Sequence, residues 1–397
     1  MPRFEPFAAL RYASRLPLGE VTAPPYDVLS DADRAELAAR HPHNVVKVDV
    51  PVEQDGPHRY EDAGDLFRTW LANAVIVQDQ AASYYRYSMR FVDEAGDSHV
   101  TVGLFGGLEV RAAGTGEVLP HEQTTPKAKT DRLDLTRSTG MNLSAVWGLS
   151  LAPGIGSAIA GAEATLLGSF TDAAGVDHVL ERIVGAETTE KLREAIETHP
   201  VVIADGHHRY EIARVFRAER QTSGIADGLH DLTLTFVVEL APEHLFVQAI
   251  HRLINSLPAD LDLLGTLAPF FEQTPAGIVS SATLSELIER GALCLVHPDG
   301  TGTYLKPRPE AFEGQRDLDT ARLEVALAAV AHEKAYQHGV DNILSAVVAG
   351  RAQYGVLLRP VPIAEIERTA HEGLLMPPKS TFFAPKPKTG LVFRRVV

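Results

Sequence analysis

One stretch constrains this chain more than any other: Val201-Val202-Ile203-Ala204-Asp205-Gly206-His207-His208-Arg209-Tyr210. Four apolar residues in a row read as a buried strand. Asp-Gly then marks a turn. From Glu211 to Arg220, Ile212, Ala213, Val215 and Phe216 fall on one face with charges opposite, which predicts a helix. Strand, tight turn and helix N-terminus follow one another. That end of a helix offers unpaired backbone N–H groups and a partial positive charge. Phosphate is its common occupant. Gly206 would let the backbone approach a ligand closely, and Arg209 adds a planar fork suited to phosphate oxygens. A glycine at such a junction is often only a turn, and an arginine in a first helical turn is often solvated. A group of polar residues held rigidly at the carboxyl end of an apolar strand points instead to an anion or phosphate site.

Composition bounds the rest. A chain of 397 residues has room for two or three domains. No run approaches the ~18 apolar residues of a membrane helix, and the N-terminal residues lack the apolar core of a signal peptide. These features predict a cytoplasmic protein without a membrane partner. The single cysteine, Cys294, excludes an internal disulfide and lies in the apolar run Ala292 to Val296, as a buried strand cysteine would. The net charge of −15, from 37 basic and 52 acidic residues, argues against nucleic-acid binding, which needs a basic surface. A small anion needs only a local cationic pocket.

Taken in order, the chain predicts a mixed α/β (α+β) fold. Residues 1 to about 30 are proline-rich, and Val21 to Ser30 is predicted to be extended. Ser30 caps a helix from Asp31 to about Arg40, with Asp33 in the place of the usual Glu. Asn44 to Val50 alternates as a strand does, and Tyr60 to Asn73 has a helical apolar stripe. Ser83 to Val92 and His99 to Val110 form a hairpin. Residues 117–142 are polar, with His121, Glu122, Lys127, Asp131, Arg132 and Asn142 in one long loop of the kind that usually carries function. Ser144 to Leu151 and Leu232 to Leu240 read as strands, with two strand-like pieces and a helix between 152 and 200. The C-terminal third predicts helices over Ser281 to Arg290, Leu318 to His332 and Ile363 to His371. His251 to Leu253 and Leu261 to Phe271 begin this unit, and its strands are predicted at Ala292 to His297, Thr303 to Lys306, Gln353 to Pro360 and Leu391 to Val397. The expected division is 1–100, 101–245 and 246–397. Walker, dinucleotide, nucleophile-elbow and zinc-helix motifs are all absent from the sequence.

The strand followed by Asp-Gly-His-His-Arg-Tyr resembles the phosphate-binding turn of the ParB/sulfiredoxin-like superfamily, which includes the SerK-type kinases of free L-serine. The whole chain is similar to a bacterial and archaeal family long filed as a domain of unknown function. The shared signatures are Ala-Pro-Pro-Tyr-Asp-Val at 23–28, His-Glu-x-Thr at 121–124, Asp-Arg at 131–132, the core motif at 205–210 and Met-Pro-Pro-Lys-Ser-Thr-Phe-Phe at 376–383. Some members are pyrophosphate-dependent serine kinases. The resemblance implies a ParB/sulfiredoxin-like central module over 101–245, flanked by an N-terminal segment and a C-terminal domain that adds the proline-punctuated tail Met376 to Lys386 to the pocket.

It also implies transfer of a phosphoryl group from pyrophosphate or a nucleotide to the hydroxyl of free L-serine. Glu122 is the implied base. Asp205 would hold Mg²⁺ or the serine ammonium; other metal ligands stay unassigned. Gly206, His207, His208, Arg209, Lys127 and Arg132 would bind phosphate. His121, Thr124, Asp131, Asn142, Lys379, Ser380 and Thr381 would line the substrate side. The alternative is a non-catalytic, ParB-like nucleotide- or phosphate-binding protein or sensor. In either reading Arg209→Ala is expected to abolish anion binding. Charged hydrogen bonds of its kind contribute ~1.5–3 kcal/mol, and unchanged pyrophosphate affinity by calorimetry would count against a phosphate site.

Overall fold

The apolar run of the core motif becomes the strand Val201–Asp205, with residues 201–204 all buried. A strand buried on both faces needs partners on both edges and cover on both sides. It has them in a nine-stranded mixed sheet. The architecture is seen in a computed structural model that describes residues 1–93, 96–112, 114–120 and 130–397. In spatial order the sheet runs Val118–Pro120, Val201–Asp205, Val146–Ser150, Leu232–Glu239, Ser98–Glu109, Tyr85–Val92, Asp177–Ile183, Ala164–Thr171. Phe4–Glu5 pairs with Ser98–Glu109. Val201–Asp205 is parallel to Val118–Pro120 and antiparallel to Val146–Ser150. The fold is mixed α/β, and the hairpin of Tyr85–Val92 and Ser98–Glu109 pairs as its alternation predicts.

One sheet face packs Tyr87, Phe105, Trp147, Leu149 and Phe236 against Met376 and Phe383 from far down the chain. The other packs Val146, Val201, Ile203 and Val237 against the helices Ile155–Gly161 and Ala186–Ile196. An N-terminal layer is built from the helices Asp31–Arg40 and Arg59–Ala72 around Phe67, Trp70 and Phe393. Ser30 and Asp33 form the reciprocal cap at the first of these helices, satisfying two orphan N–H groups.

The C-terminal stretch does two things. Residues 251–357 hold a six-stranded sheet in the order Phe271–Ile278, Thr301–Pro307, Leu293–Val296, Tyr354–Leu357, His251–Asn255, Glu333–Gln337. Leu293 and Leu295 face one apolar layer while Cys294 and Val296 face another, the period of two expected of a strand. Cys294 is fully buried, which pushes its thiol up to about 12. The chain then returns. Phe382–Ala384 pairs with Phe246–Gln248, Phe393 bridges to Leu10, and Arg394–Arg395 pairs with Met141–Asn142.

Four expectations are corrected. Asn44 to Val50 is not a strand: Val46–Asp49 is a short helix. Val45, Val46, Val48 and Asp49 are all buried, a pairing at i, i+3 and i+4 that alternation does not describe. The polar stretch 117–142 is not one loop; it contains the strand Val118–Pro120, the helix Thr130–Thr139 and the short strand Met141–Asn142. The helix expected over Leu318 to His332 stops at Leu327, and the exposed edge strand Glu333–Gln337 follows. The last strand is only Arg394–Arg395. No helix among the described residues is long and apolar enough to cross a membrane.

His251 gives the fold a pH dependence. It is buried, its Nδ1 accepts from the Leu358 N–H at 3.2 Å, and burial, with His338 and Arg252 nearby, lowers its pKa to about 4. The unfolded chain therefore binds this proton first, near pH ~6.5. The stabilisation is complete above ~6.5 and is lost as pH falls towards about 4. His251→Gln is expected to flatten the fall of the thermal midpoint over that window; an unchanged profile would show that His251 does not titrate there.

Candidate functional site

Asp205 ends its strand, and Gly206 turns the chain at φ +83° into the helix His207–Thr222. A Cβ at Gly206 would lie 3.0 Å from Arg209 Nε and 3.2 Å from Val146 Cα. Both the left-handed backbone and the close approach require glycine. The first N–H groups of a 16-residue helix sit here, at the end that attracts anions.

Arg209 lies folded over the turn with its side chain 10% exposed. Its Nη2 donates to Asp205 Oδ2 at 2.8 Å and reaches Asp27 Oδ2 at 3.5 Å, and its Nη1 donates to the Ala145 carbonyl. Burial weakens the guanidinium charge, but Asp27 and Asp205 hold it above the ordinary arginine range. The other oxygen of Asp205, Oδ1, meets Lys386 Nζ at 2.8 Å. Burial alone would push the Asp205 carboxyl up. Lys386 and Arg209, with His207 behind them, pull it well below the carboxylate range. The carboxylate is thus ionised, with one cation on each oxygen. Lys386 Nζ also stands 4.9 Å over the Phe382 ring, which packs 3.8 Å from the His338 ring.

A second layer supports the first. Two guanidinium groups lie over the Tyr26 ring, Arg132 at 3.9 Å and Arg209 at 5.8 Å. Arg132, from the helix Thr130–Thr139, donates to the Asp49 carbonyl at 2.5 Å and to Asp49 Oδ1 at 3.2 Å. Asp49 is buried, and that burial raises its carboxyl while Arg132 and Arg209 oppose the rise. Asp131 sits 3.8 Å from both Arg132 and Arg59. Behind the turn, a cavity of about 50 Å³ is lined by Asp49, Arg132, Asn142, Arg209 and His230.

The structure brings together Asp205, Gly206, His207 and Arg209, and ties Arg132 to them through Tyr26. His208 follows in the same first turn, half-buried. Asn142 lines the cavity but spends its Oδ1 on the Leu234 N–H at 2.9 Å. In the tail, the Lys379 carbonyl accepts from Arg252 at 3.0 Å, and Ser380 Oγ donates to the Pro377 carbonyl at 2.7 Å. Ser380 and Thr381 are buried. The tail meets the core motif through Lys386. His121, Glu122, Thr124 and Lys127 lie outside the described residues.

Sequence reasoning singled out none of four members of this constellation, Tyr26, Asp27, Asp49 and Lys386, although it placed the segment that ends at Lys386 in the pocket. Tyr26 and Asp27 carried a signal, since they sit in the Ala-Pro-Pro-Tyr-Asp-Val signature. Lys386 sat at the end of the proline-punctuated tail. Asp49, a lone carboxylate in an apolar run, was the faintest.

The model of a family of proteins of unknown function, DUF1015, matches residues 4–326. No curated protein matches. Among solved structures, a conserved hypothetical protein from Pyrococcus furiosus is 14% identical, with 74% of this chain and 97% of that chain covered at a TM-score of 0.36. SbnI with a C-terminal truncation, from Staphylococcus aureus, is 12% identical, with 73% and 87% covered at 0.39. A free serine kinase in complex with AMP is 15% identical, with 73% and 91% covered at 0.36.

The depressed Asp205 carboxyl carries a prediction. Its unfolded value is ~3.9, so its stabilisation is present above pH ~4 and is lost as pH falls below that. Asp205→Asn is expected to cost ~3 kcal/mol at pH 7, because it leaves two largely buried cations short of a partner, and to unfold less steeply on acidification than the parent. Equal acid slopes in the two proteins would show that Asp205 is not held ionised by Lys386 and Arg209.

Proposed function

The chain belongs to the DUF1015 family of proteins of unknown function, and we propose that this member is a small-molecule phosphotransferase whose phosphate site is the turn at Gly206. One observation carries the reading: an ionised, largely buried carboxylate, Asp205, is held between Lys386 and Arg209 at the N-terminus of a long helix. Phosphoryl transfer needs little covalent help from a protein. It needs the phosphates held in place and their charge balanced, with a carboxylate to take the hydroxyl proton. Backbone N–H groups, Lys386, Arg209 and the His207-His208 pair supply the first requirement.

The proposed reaction takes a phosphoryl group from pyrophosphate or a nucleoside diphosphate to the hydroxyl of free L-serine. The serine oxygen forms a bond to the terminal phosphorus, the bond from that phosphorus to the bridging oxygen breaks, and the leaving phosphate keeps the electron pair. The hydroxyl proton goes to Glu122, in the Pro-His-Glu segment that resembles the base-bearing loop of the serine kinases. His121, Thr124 and Lys127 from that segment, with Arg132 and Asp131, would complete the pocket; Lys379, Ser380 and Thr381 would shape its tail side.

Mg²⁺ usually binds through one or two carboxylates plus substrate phosphates. Asp205 and Asp27, which converge on the same Arg209 nitrogen at 2.8 and 3.5 Å, fit that requirement. When bound there it would supply charge neutralisation at the phosphates. Among the described residues no group of three or more His, Cys, Asp or Glu has the arrangement of a self-sufficient metal cage.

The test is a donor screen. The protein is incubated with L-serine, Mg²⁺ and either pyrophosphate, ADP or ATP, and O-phosphoserine is followed by phosphorus NMR. Glu122→Gln keeps the shape and removes the basicity. Turnover is expected to fall ~10²-fold, the low end for general bases because the transition state is loose, while pyrophosphate binding persists. A Glu122→Gln protein with the parent rate would remove Glu122 from its role. Pyrophosphate binding without product from any donor and acceptor would favour a sensor.

A further inference from the structure

The tail segment Pro385-Lys386-Pro387-Lys388-Thr389 crosses the sheet face that bears Trp147 and Tyr87, and it is pinned at three points. Lys386 meets Asp205 Oδ1 at 2.8 Å. Two residues on, Lys388 meets Asp172 Oδ2 at 2.5 Å. Thr389 exchanges both backbone hydrogen bonds with Ala23, at 2.8 and 3.1 Å. Pro387, between the two lysines, has a fixed φ and no N–H to satisfy. Phe383, just upstream, packs 5.8 Å from Trp147, the residue opposite Asp205 in the sheet.

The foot at Lys388 is a polar network in an otherwise apolar layer. Tyr87 Oη lies 2.7 Å from His178 Nδ1, and His178 Nε2 lies 3.1 Å from Asp172 Oδ2. The Lys388 N–H points at Tyr87 Oη from 3.5 Å. Asp172 Oδ1 accepts from the Ala174 and Val176 N–H groups at 2.9 and 3.1 Å. The His178 ring stacks between Tyr87 and Phe170, at 5.9 and 4.7 Å. Tyr87 and His178 are fully buried. Burying such groups is costly unless each finds a partner, and here each does. The network lies on Tyr85–Val92, Asp177–Ile183 and the turn before the latter, near the opposite edge of the sheet from Val201–Asp205. What it fixes is the strap, and the strap carries Lys386.

Lys386 is therefore delivered to the core motif already ordered. An ammonium has three donors. One is spent on Asp205, and the side chain is 14% exposed with its charge over Phe382. We propose that Lys386 is a phosphate ligand of the site at Gly206, and that Lys388, Asp172, His178 and Tyr87 are positioning residues that fix it from across the sheet. The first half rests on the phosphate-site reading above; the second rests on the strap geometry alone.

The test is calorimetric titration of the full chain with pyrophosphate, with hydrogen exchange of residues 382–390 measured in parallel. Lys386→Met is expected to weaken binding ~10–100-fold, the span of a lost charged hydrogen bond. Lys388→Met, which removes no group from the turn, is expected to weaken it ~10-fold and to speed exchange along the strap. Lys388→Arg is expected to restore both, a rescue that general damage to the fold would not give. Tyr87→Phe removes one hydroxyl and serves if Lys388→Met does not fold; it is expected to act in the same direction.

A parent protein that takes up no pyrophosphate overturns the phosphate-site reading and the role of Lys386 together. Binding by the parent with undiminished affinity in Lys386→Met overturns the role of Lys386 alone. A weakened Lys386→Met beside Lys388→Met and Tyr87→Phe proteins with parent affinity and parent exchange overturns the positioning role.

Discussion

The Asp205 carboxylate is the point on which separate parts of the chain converge. It stands at the end of a buried strand, where an isolated charge would be far too costly to keep. Its cations come from opposite directions. Arg209 rises from the next helix and reaches on to Asp27 of the N-terminal segment, while Lys386 returns from almost 200 residues downstream. A buried ion pair of this kind adds little net stability by itself. Its effect is to set geometry, because each partner is ordered only when the others are in place. Asp27 and Lys386 are both supported by the pairing of Ala23 with Thr389, so the N-terminal segment and the tail reach the turn as one unit.

That dependence explains why the tail crosses the sheet rather than staying with the C-terminal strands. Met376, Phe383, Leu391 and Val392 of the tail form part of the cover over the face that bears Tyr87, Trp147 and Phe236. An apolar face of that size needs cover. The tail's share of that cover comes from a segment whose lysines are tied to two carboxylates, Asp205 and Asp172. Packing and electrostatics thus fix the same few residues, and any loss of tail packing also moves the ammonium group at the turn.

How much of this was legible in the sequence depended on whether the cause was local. The cap at Ser30, the strand–turn–helix at Val201 to Tyr210, the hairpin at Tyr85 and the buried Cys294 rest on neighbouring residues, and each reads directly. Val46–Asp49 did not, because the four valines from Asn44 to Val50 suggest a strand and only the partner of Asp49, Arg132, shows that the carboxylate must face inward. The end of the helix at Leu327 and the exposed strand after it are decided by pairing with His251–Asn255, a partner some 80 residues away. The site divides in the same way. Arg209 and Asp205 share one motif and were legible; Asp27 and Lys386 join them only through the fold.

The charge balance at the turn also restricts what can enter it. Each described cation closest to Asp205 already has a carboxylate or carbonyl partner. An incoming phosphate would therefore share Lys386 and Arg209 with Asp205 rather than fill a waiting positive hole. An anion alone would draw these cations away from Asp205 in a place where burial pushes its carboxyl towards the neutral form. A phosphate that arrives beside its own cation leaves every charge matched. A small ligand that joins phosphate to a metal ion or an ammonium satisfies this condition. A polyanion such as DNA does not, since it meets a chain of net charge −15 and brings far more negative charge than the turn can balance. The same carboxylate that orders the turn would therefore also filter any ligand there, and it would do so because it is largely buried.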